Sequence, residues 1–205
     1  MKISEKLARI LSLPAGYRLL RRAVGGGDLW RAYLDEYVKP IPGEKVLDIG
    51  CGPADVLRHL PQVDYTGLDY SQKYIDSALA RFGGRGRFWC SDVSRVALEL
   101  ERGTFSLALA TGVVHHLNDQ QAADLFGLAR LALGPNGRLI TFDGCYVPGQ
   151  SRVARWMLAH DRGKFVRARA EYERLASAAF SKVEGHLRHD LLHIPYTHLI
   201  MRCAN

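Results

Sequence analysis

The stretch VLDIGCGPA, residues 46–54, decides the fold. A short apolar run ends in an aspartate, and a turn with two glycines follows it. In an open parallel sheet, ligands bind at the carboxyl ends of the strands, near the point where the strand order reverses. Gly50 and Gly52 carry no side chain, so the backbone can turn tightly there and come close to a ligand. The stretch therefore predicts a ligand site directly after the first strand of such a sheet.

Short apolar strands and amphipathic helices alternate on the carboxyl side of this turn. The pattern predicts strands at residues 45–49, 65–68, 87–90, 105–111 and 138–142. It predicts helices at residues 54–60, 72–81, 96–100 and 120–133. Strands that alternate with helices indicate a parallel sheet with helices on both faces.

The two ends of the chain depart from this alternation. Helices are predicted at residues 3–13, 17–24 and 28–39, the last with Asp28 as its N-cap. After the fifth strand, residues 149–180 predict two helices with a polar turn at 160–164. The runs 182–191 and 196–203 are predicted to pair as an antiparallel hairpin at the sheet edge. We therefore expect a single domain, residues 1–205, with a helical cap (1–40), an α/β core (41–145), a helical insertion (146–181) and the hairpin (182–205).

Composition and charge narrow the class of protein. The chain has 205 residues, 47% of them hydrophobic, and a net charge of +7. Both ends are basic, with nine Lys/Arg against five Asp/Glu in residues 1–45 and ten against five in residues 150–205, whereas residues 46–149 carry nine against eleven. A basic surface attracts anions, although it also serves solubility. Because the first residues lack the uninterrupted apolar core of a signal peptide, we expect a cytoplasmic protein without a membrane span.

The four cysteines do not suggest a metal site. None of them stands in a Cys-x-x-Cys pair, and the spacing matches no zinc motif. Free thiols and the absence of a metal are the expectation.

A glycine turn can bind either a dinucleotide, through its pyrophosphate, or a nucleoside with a cationic amino group. The acidic residues near the turn indicate which of the two ligands fits. A pyrophosphate-binding turn needs G-x-G-x-x-G, but Asp55 stands where the third glycine belongs, and an acid repels phosphate. Asp48 suits a ligand with a cationic amino group instead. Asp69 ends the second strand, where a carboxylate can accept hydrogen bonds from both ribose hydroxyls. Asp92 follows the third strand, where it can accept from an exocyclic amine such as that of adenine.

These motifs resemble those of a known family. VLDIGCGPADVLRHL, YTGLDYS, FWCSDV, FSLALATGVVHHL and LGPNGRLITFDG are similar to the successive motifs of the class I S-adenosylmethionine-dependent methyltransferases. The resemblance covers residues 28–145 and implies a Rossmann-like, doubly wound and mostly parallel α/β sheet that ends in an antiparallel hairpin. The family usually has a third glycine two residues after Gly52, and this chain has Ala54 there.

The resemblance also implies roles for individual residues, with S-adenosyl-L-methionine as cofactor and S-adenosyl-L-homocysteine as product. Asp48 would lie near the methionine amino group, Asp69 would hold the ribose, and Tyr70 would pack on adenine. The remaining cofactor-binding candidates are Gly50, Gly52, Asp92, Val93, Thr111 and Gly112.

Candidate catalytic residues follow the fourth and fifth strands. His115 and His116 end the fourth strand's motif, and the ordinary pKa of histidine, ~6.5, suits a base. A histidine that only fixes the loop is the other interpretation. Asp143 ends the fifth strand, where it would orient a histidine or contact substrate, unless it is only a turn residue.

Four functions compete on this evidence. The first is methyl transfer to a small molecule. The basic ends of the chain weakly favour an acidic acceptor, and O-methylation is slightly favoured because a candidate base is present. Basic residues of the insertion, Lys164, Arg167 and Arg169 among them, would suit a carboxylate or phosphate, although a solvated helix face explains them as well. An RNA methyltransferase fits the charge, but the chain has no Lys/Arg-rich run and no N-P-P-Y-like tetrapeptide. A non-catalytic partner subunit and, more distantly, a dehydrogenase complete the set.

Overall fold

A single mixed sheet organises the computed structural model, which describes residues 26–91, 102–160 and 163–205. The strands in these ranges are β1 (Lys45–Ile49), β2 (Asp64–Asp69), β3 (Gly86–Cys90), β4 (Phe105–Thr111), β5 (Leu133–Tyr146), β6 (Arg167–Ala168), β7 (Lys182–Arg188) and β8 (His198–Ala204). Their order in the sheet is β3-β2-β1-β4-β5-β8-β7, and the two-residue β6 pairs with the end of β5.

The helices pack on both faces of this sheet. They are α1 (Gly26–Tyr33), which continues as a π-helical turn (Leu34–Val38), α2 (Gln72–Phe82), α3 (Asp119–Ala132), α4 (Arg152–Ala159) and α5 (Arg169–Ser177). Two short 3-10 helices, Asp55–Arg58 and Val114–His116, follow β1 and β4 directly.

The strand order places a reversal point beside the glycine turn. β1 pairs in parallel with β2 on one side and with β4 on the other, so the chain order changes direction between β1 and β4. β4 and β5 are parallel, and β8 then runs antiparallel to both β5 and β7. The carboxyl ends of β1, β4 and β5 consequently meet at one edge, which is where a ligand binds in this kind of sheet.

Two apolar clusters lie on the two faces of the sheet. Along β1, Leu47 and Ile49 belong to one cluster and Val46 to the other, because successive side chains of a strand point to opposite faces. The first cluster packs under α3 and α5, and the second under α1 and α2. These buried clusters hold the strand ends in fixed positions.

The predicted fold class is confirmed: a mostly parallel Rossmann-like sheet ends in an antiparallel hairpin. Three elements differ from the sequence prediction. The helix expected at 54–60 is only the four-residue 3-10 turn Asp55–Arg58, and Ala54 before it is not helical because its φ of 56° is left-handed. The helix expected from Asp28 already begins at Gly26, and β5 begins five residues before the predicted strand, at Leu133, and ends four residues after it, at Tyr146. The helices predicted at 3–13, 17–24 and 96–100 lie outside the described residues.

Candidate functional site

The glycine turn after β1 is hydrogen-bonded to β2 on one side and has open space on the other, beside Gly52. The backbone N–H groups of Gly50 and Cys51 both donate to the carbonyl oxygen of Leu68, at 2.7 and 2.8 Å. Gly50 has a φ of 73°, and a Cβ there would lie 2.6 Å from Val113 Cγ2. Gly52 also has a positive φ, 54°, but a Cβ there would meet no atom within 4 Å. The turn therefore requires glycine for its shape and leaves space beside Gly52.

Asp69 fixes the same turn from the end of β2. Its Oδ2 accepts from the N–H of Gly52 at 2.9 Å, and its Oδ1 accepts from the N–H of Ser71 at 2.8 Å. Burial raises the pKa of this carboxyl group, and the two N–H donors act in the opposite direction. Each oxygen still has a lone pair for a further donor, so Asp69 can hold the turn and accept from a hydroxyl at the same time.

Asp48 is a buried acid with one satisfied and one unsatisfied oxygen. The hydroxyl of Tyr65 donates to its Oδ2 at 2.6 Å. Its Oδ1 is buried and has no hydrogen-bond partner among the described residues. Burial raises the pKa of Asp48 to about 7, with the charge of Asp69 adding to the rise and the Tyr65 hydrogen bond opposing it. A cationic donor at Oδ1 would stabilise the ionised form, so this carboxylate fits an ammonium group.

Asp55, the acid at the position where a pyrophosphate-binding turn has its third glycine, forms an ion pair with Arg81. Arg81, near the end of α2, donates to Asp55 Oδ1 and to the carbonyl oxygen of Pro53, both at 2.7 Å. Asp55 is thus half of an ion pair that holds the 3-10 turn against α2. Its role is to fix the turn, not to face a ligand.

Tyr33 on α1 packs against Phe142 of β5 and reaches Thr111 at the end of β4. It is fully buried, and its hydroxyl lies 3.3 Å from the hydroxyl of Thr111 at the end of β4. Burial raises the pKa of this phenol well above its ordinary value, and the nearby charges of Asp48 and Asp143 add to the rise. Tyr33 therefore belongs to the site through the contact of its hydroxyl with Thr111.

His115, in the 3-10 helix after β4, and Asp143, three residues before the end of β5, form a buried pair. His115 Nδ1 lies 2.7 Å from Asp143 Oδ1, which also accepts from the backbone N–H of His115 at 3.1 Å. Asp143 Oδ2 is buried without a hydrogen-bond partner in the described part of the chain. A Cβ at Gly163 would clash with the His115 ring, and a Cβ at Gly112 would lie 3.8 Å from His115 Cε1. The ring therefore packs between the end of β4 and the insertion.

The other basic candidates are surface or structural groups. His116 is exposed, although its ring centroid lies 4.3 Å from that of His115. Arg167 is buried and donates to the carbonyl oxygens of Val114 and Leu117 and to Asp119, so it fixes the loop after β4. Arg169 is paired with Glu173, one turn further along α5, and Lys164 is exposed.

The structure thus brings most of the predicted site residues to one edge of the sheet. Asp48, the glycine turn and Asp69 lie together, and Thr111, Gly112, His115 and Asp143 lie beside them. Tyr70 is 82% exposed, so its ring is available to a ligand at the surface. Asp92 and Val93 lie outside the described residues.

Sequence reasoning missed two residues of the site, Tyr33 and Tyr65. Tyr33 falls within the predicted helix 28–39 and Tyr65 within the predicted strand 65–68, so the pattern indicates packing residues of these elements. Both are buried, as that interpretation requires, but their hydroxyls contact Thr111 and Asp48. A signal existed: a fully buried tyrosine needs a partner for its hydroxyl, and strand ends supply one.

Residues 26–91, 102–160 and 163–205 contain neither a candidate membrane-spanning helix nor a candidate metal site. No helix in those ranges is long and apolar enough to cross a membrane. No group of three or more His, Cys, Asp or Glu side chains there is arranged to hold a metal ion.

Comparison with known proteins agrees with this geometry. Residues 46–137 match the family model of the methyltransferase domain. A curated relative, "Uncharacterized 37.1 kDa protein in transposon TN4556" of Streptomyces fradiae, is 33% identical over 104 residues, which are 48% of this chain and 30% of that protein. The chain therefore matches less than a third of that relative's length.

Two solved structures share the fold across most of the chain. A TehB-like SAM-dependent methyltransferase from Corynebacterium glutamicum is 19% identical, covers 97% of this chain and 99% of its own, and has a TM-score of 0.66. Phosphoethanolamine N-methyltransferase 2 of Haemonchus contortus, in complex with S-adenosyl-L-methionine, is 16% identical, covers 89% of this chain and 53% of its own, and has a TM-score of 0.69. The family match over residues 46–137, the strand order and the glycine turn agree with the resemblance seen in the motifs: residues 46–137 match a methyltransferase domain, and the chain has the fold of the S-adenosylmethionine-dependent methyltransferases of known structure.

Proposed function

We propose that this chain transfers a methyl group from S-adenosyl-L-methionine to a small-molecule acceptor, and that the attacked atom is an oxygen. The observation that carries the cofactor assignment is the buried Asp48 Oδ1, which lacks a partner among the described residues. The methionine part of the cofactor ends in an ammonium group, and an ammonium group is the kind of donor that this oxygen needs.

The other residues of the edge fit the remaining parts of the cofactor. Gly52 faces open space, so the backbone can approach a ligand without obstruction. Asp69 retains acceptor capacity for ribose hydroxyls, and the exposed ring of Tyr70 can pack on a purine. Asp92 and Val93 stay predictions for the adenine end. When bound, the cofactor supplies a methyl group that its sulfonium has already activated.

The His115–Asp143 pair is the basis for preferring O-methylation. An Nδ1–H that donates to Asp143 Oδ1 holds the imidazole in one tautomer, which leaves Nε2 as the proton acceptor. A hydroxyl group is a poor nucleophile until it loses its proton, and a base within hydrogen-bond reach can take that proton. We therefore assign His115 as the base and Asp143 as the group that orients it, with His116 as an exposed neighbour.

The preference for an acidic acceptor has less support. Of the described basic residues in the insertion, Arg167 and Arg169 are already paired with Asp119 and Glu173. Lys164, Arg152 and Arg155 are exposed and are the cations of the insertion that could meet an acidic group. RNA as acceptor rests on the net charge of +7 alone.

A transfer assay tests the proposal. Purified chain is incubated with S-adenosyl-L-methionine and panels of alcohols, phenols, amines, carboxylic acids and total RNA, and release of S-adenosyl-L-homocysteine is measured. We expect turnover with a hydroxyl compound and a strong loss of turnover in His115→Gln. Turnover with RNA or an amine alone, or undiminished turnover in the variant, would contradict the assignment of acceptor and base.

A further inference from the structure

A cavity of about 550 Å³ lies at the same edge of the sheet, beyond the end of β5. One wall is the segment from Val147 to the first turn of α4, and the other is the loop that joins β7 to β8. Its volume lies within the range of small-molecule sites, which is ~300–1,000 Å³. None of its residues takes part in the cofactor contacts or the histidine pair described above.

The described lining of the cavity has one imidazole, that of His189, and no carboxylate, ammonium or guanidinium group. Among the described residues that line it, none is Asp, Glu, Lys or Arg. The polar members are Gln150, Ser151, His189, Tyr196 and Thr197, and the apolar members are Val147, Pro148, Ala154, Leu187 and Pro195. Because a charged group is costly to bury without a partner, this lining selects against anions and favours neutral ligands.

Gln150 presents one unsatisfied acceptor. Its Nε2 donates to the carbonyl oxygen of Cys145 at 3.2 Å and to Thr197 Oγ1 at 2.7 Å. The carbonyl oxygen can only accept, so it fixes which end of the amide is nitrogen. Gln150 Oε1 is then buried without a partner among the described residues. A ligand N–H or O–H group would satisfy it.

A row of aromatic rings connects the cavity with the end of β4. Tyr196 lines the cavity, and its ring centroid lies 4.6 Å from that of His198. His198 stacks on Phe142 at 4.5 Å, and Phe142 contacts Tyr33 at 5.1 Å. Tyr33 in turn reaches Thr111. The cavity and the β4 end therefore share one continuous packed surface.

Tyr196, at this end of the row, packs directly on the β5 backbone because Gly144 has no side chain. A Cβ at Gly144 would lie 2.5 Å from the hydroxyl oxygen of Tyr196 and 2.8 Å from Leu158 Cδ2. Successive side chains of a strand point to opposite faces, so Tyr196 packs on the face of β5 opposite the Asp143 carboxylate. A molecule in the cavity therefore lies beside the end of β5, the strand that carries Asp143.

We propose that this cavity binds the non-reacting part of the methyl acceptor, and that the acceptor is an uncharged, partly apolar molecule whose hydroxyl or amide N–H donates to Gln150 Oε1. The inference rests on the proposed function and sharpens it, since it names a neutral class of acceptor where the charge of the chain had suggested an acidic one.

Methyl NMR of the full chain with S-adenosyl-L-homocysteine present tests the proposal. The methyl groups of Ala154, Val147, Leu187 and Thr197 report on the cavity. The probes are matched pairs that differ in charge: 2-naphthol with 2-naphthoate, benzamide with benzoate, and cyclohexanol with cyclohexanecarboxylate. We expect at least one neutral member to shift these methyl groups and to bind at least tenfold more tightly than its anionic partner.

Two variants sharpen the result. Gln150→Met, which keeps the length of the side chain, is expected to weaken the neutral probe at least fivefold and to raise KM for a neutral acceptor. The matched control is Gln72→Met on α2, whose amide donates to the exposed Asp76, and it is expected to change neither value. The comparison of neutral and anionic probes in the unaltered chain does not depend on how either variant folds.

The outcomes separate this inference from the proposed function. Tight binding of S-adenosyl-L-homocysteine by calorimetry, together with equal or tighter binding of the anionic probes, or with no neutral probe shifting the cavity methyl groups, would overturn the cavity assignment alone. Failure of S-adenosyl-L-homocysteine to bind would overturn the proposed function, while the same probes still report on the cavity.

Discussion

At the scale of single residues, Gly52 is the position where a side chain would obstruct the cofactor most specifically. Its φ of 54° is left-handed, and the space beside it is open. A side chain there costs about 1–2 kcal/mol of backbone strain but meets no atom of the chain. We expect Gly52→Val to fold with a modest loss of stability and to lose at least a hundredfold in affinity for S-adenosyl-L-homocysteine.

Gly43 is the matched control for this change. It has a φ of 80°, and a Cβ there also meets no atom within 4 Å, but it precedes β1 at the opposite end of the strand. Gly43→Val should show similar thermal destabilisation and normal affinity by calorimetry. Equal affinities in the two variants would contradict the placement of the cofactor beside Gly52.

His115 is the second residue with a testable role. General-base catalysis contributes typically ~10²–10⁴-fold to a rate. We expect His115→Gln to lower kcat within this range, to leave affinity for S-adenosyl-L-homocysteine unchanged and to remove the acid limb of the rate–pH profile. His193→Gln, an exposed histidine of the β7–β8 loop, serves as control. A variant that keeps the wild-type profile would show that His115 only fixes its loop.

Sequence reasoning located the acids of the site but not their partners. Asp48, Asp69 and Asp143 were predicted because each ends an apolar strand, which is a local signal. The hydroxyl of Tyr65, the guanidinium of Arg81 and the phenol of Tyr33 reach the site from 17 to 78 residues away. Such contacts depend on how helices pack on the sheet, and no short stretch of sequence encodes that.

At the scale of elements, the insertion is held to the loop after β4 by one buried arginine. Arg167 donates to the carbonyl oxygens of Val114, Leu117 and Phe165 and forms an ion pair with Asp119. Arg167→Met leaves buried carbonyl groups without donors, at about 1–3 kcal/mol for each unsatisfied group. We expect a loss of about 2–3 kcal/mol of unfolding free energy by denaturant titration.

Arg174→Met is the control for this prediction. Arg174 donates to the same Asp119 from an exposed position, and exposed ion pairs contribute typically ~0–1 kcal/mol. Its effect on the unfolding free energy should therefore be below about 1 kcal/mol. If the two variants lose the same stability, the carbonyl contacts of Arg167 do not hold the loop.

Elements with strong periodicity were predicted well, and short turns were not. β4 has the predicted bounds, α2 ends one residue later than predicted, and α3 begins and ends one residue earlier than predicted. The segment after Pro53 was expected to be helical because apolar residues recur in it. This segment forms only a 3-10 turn, which begins after the left-handed Ala54 and is held to α2 by the pairing of Asp55 with Arg81. Apolar periodicity alone reveals neither feature.

At the scale of the whole molecule, Asp48 couples stability to pH. Its pKa is raised from 3.8 to about 7 in the folded chain, so its contribution to stability is fully present below about pH 4 and is lost as the pH rises through 7. Ionisation of this buried group costs on the order of a few kcal/mol. We expect the chain without ligand to become less stable between pH 5 and pH 8, measured by denaturant titration at each pH.

Asp48→Asn should flatten this dependence and should be more stable than the unaltered chain at pH 8. Asp64→Asn, at the exposed start of β2, should retain the slope. A slope that persists in Asp48→Asn would assign the pH dependence to other groups. The same substitution should abolish cofactor binding, so stability and function oppose each other at this residue.

Cofactor binding at Asp48 is best tested by calorimetric titration of the full chain with S-adenosyl-L-homocysteine at pH 8 and at pH 6, with NAD as control. Because about a tenth of Asp48 is ionised one pH unit below its pKa, we expect one binding site for S-adenosyl-L-homocysteine, about tenfold weaker at pH 6, and no binding of NAD. Binding of NAD, or no binding of S-adenosyl-L-homocysteine at pH 8, would contradict this prediction.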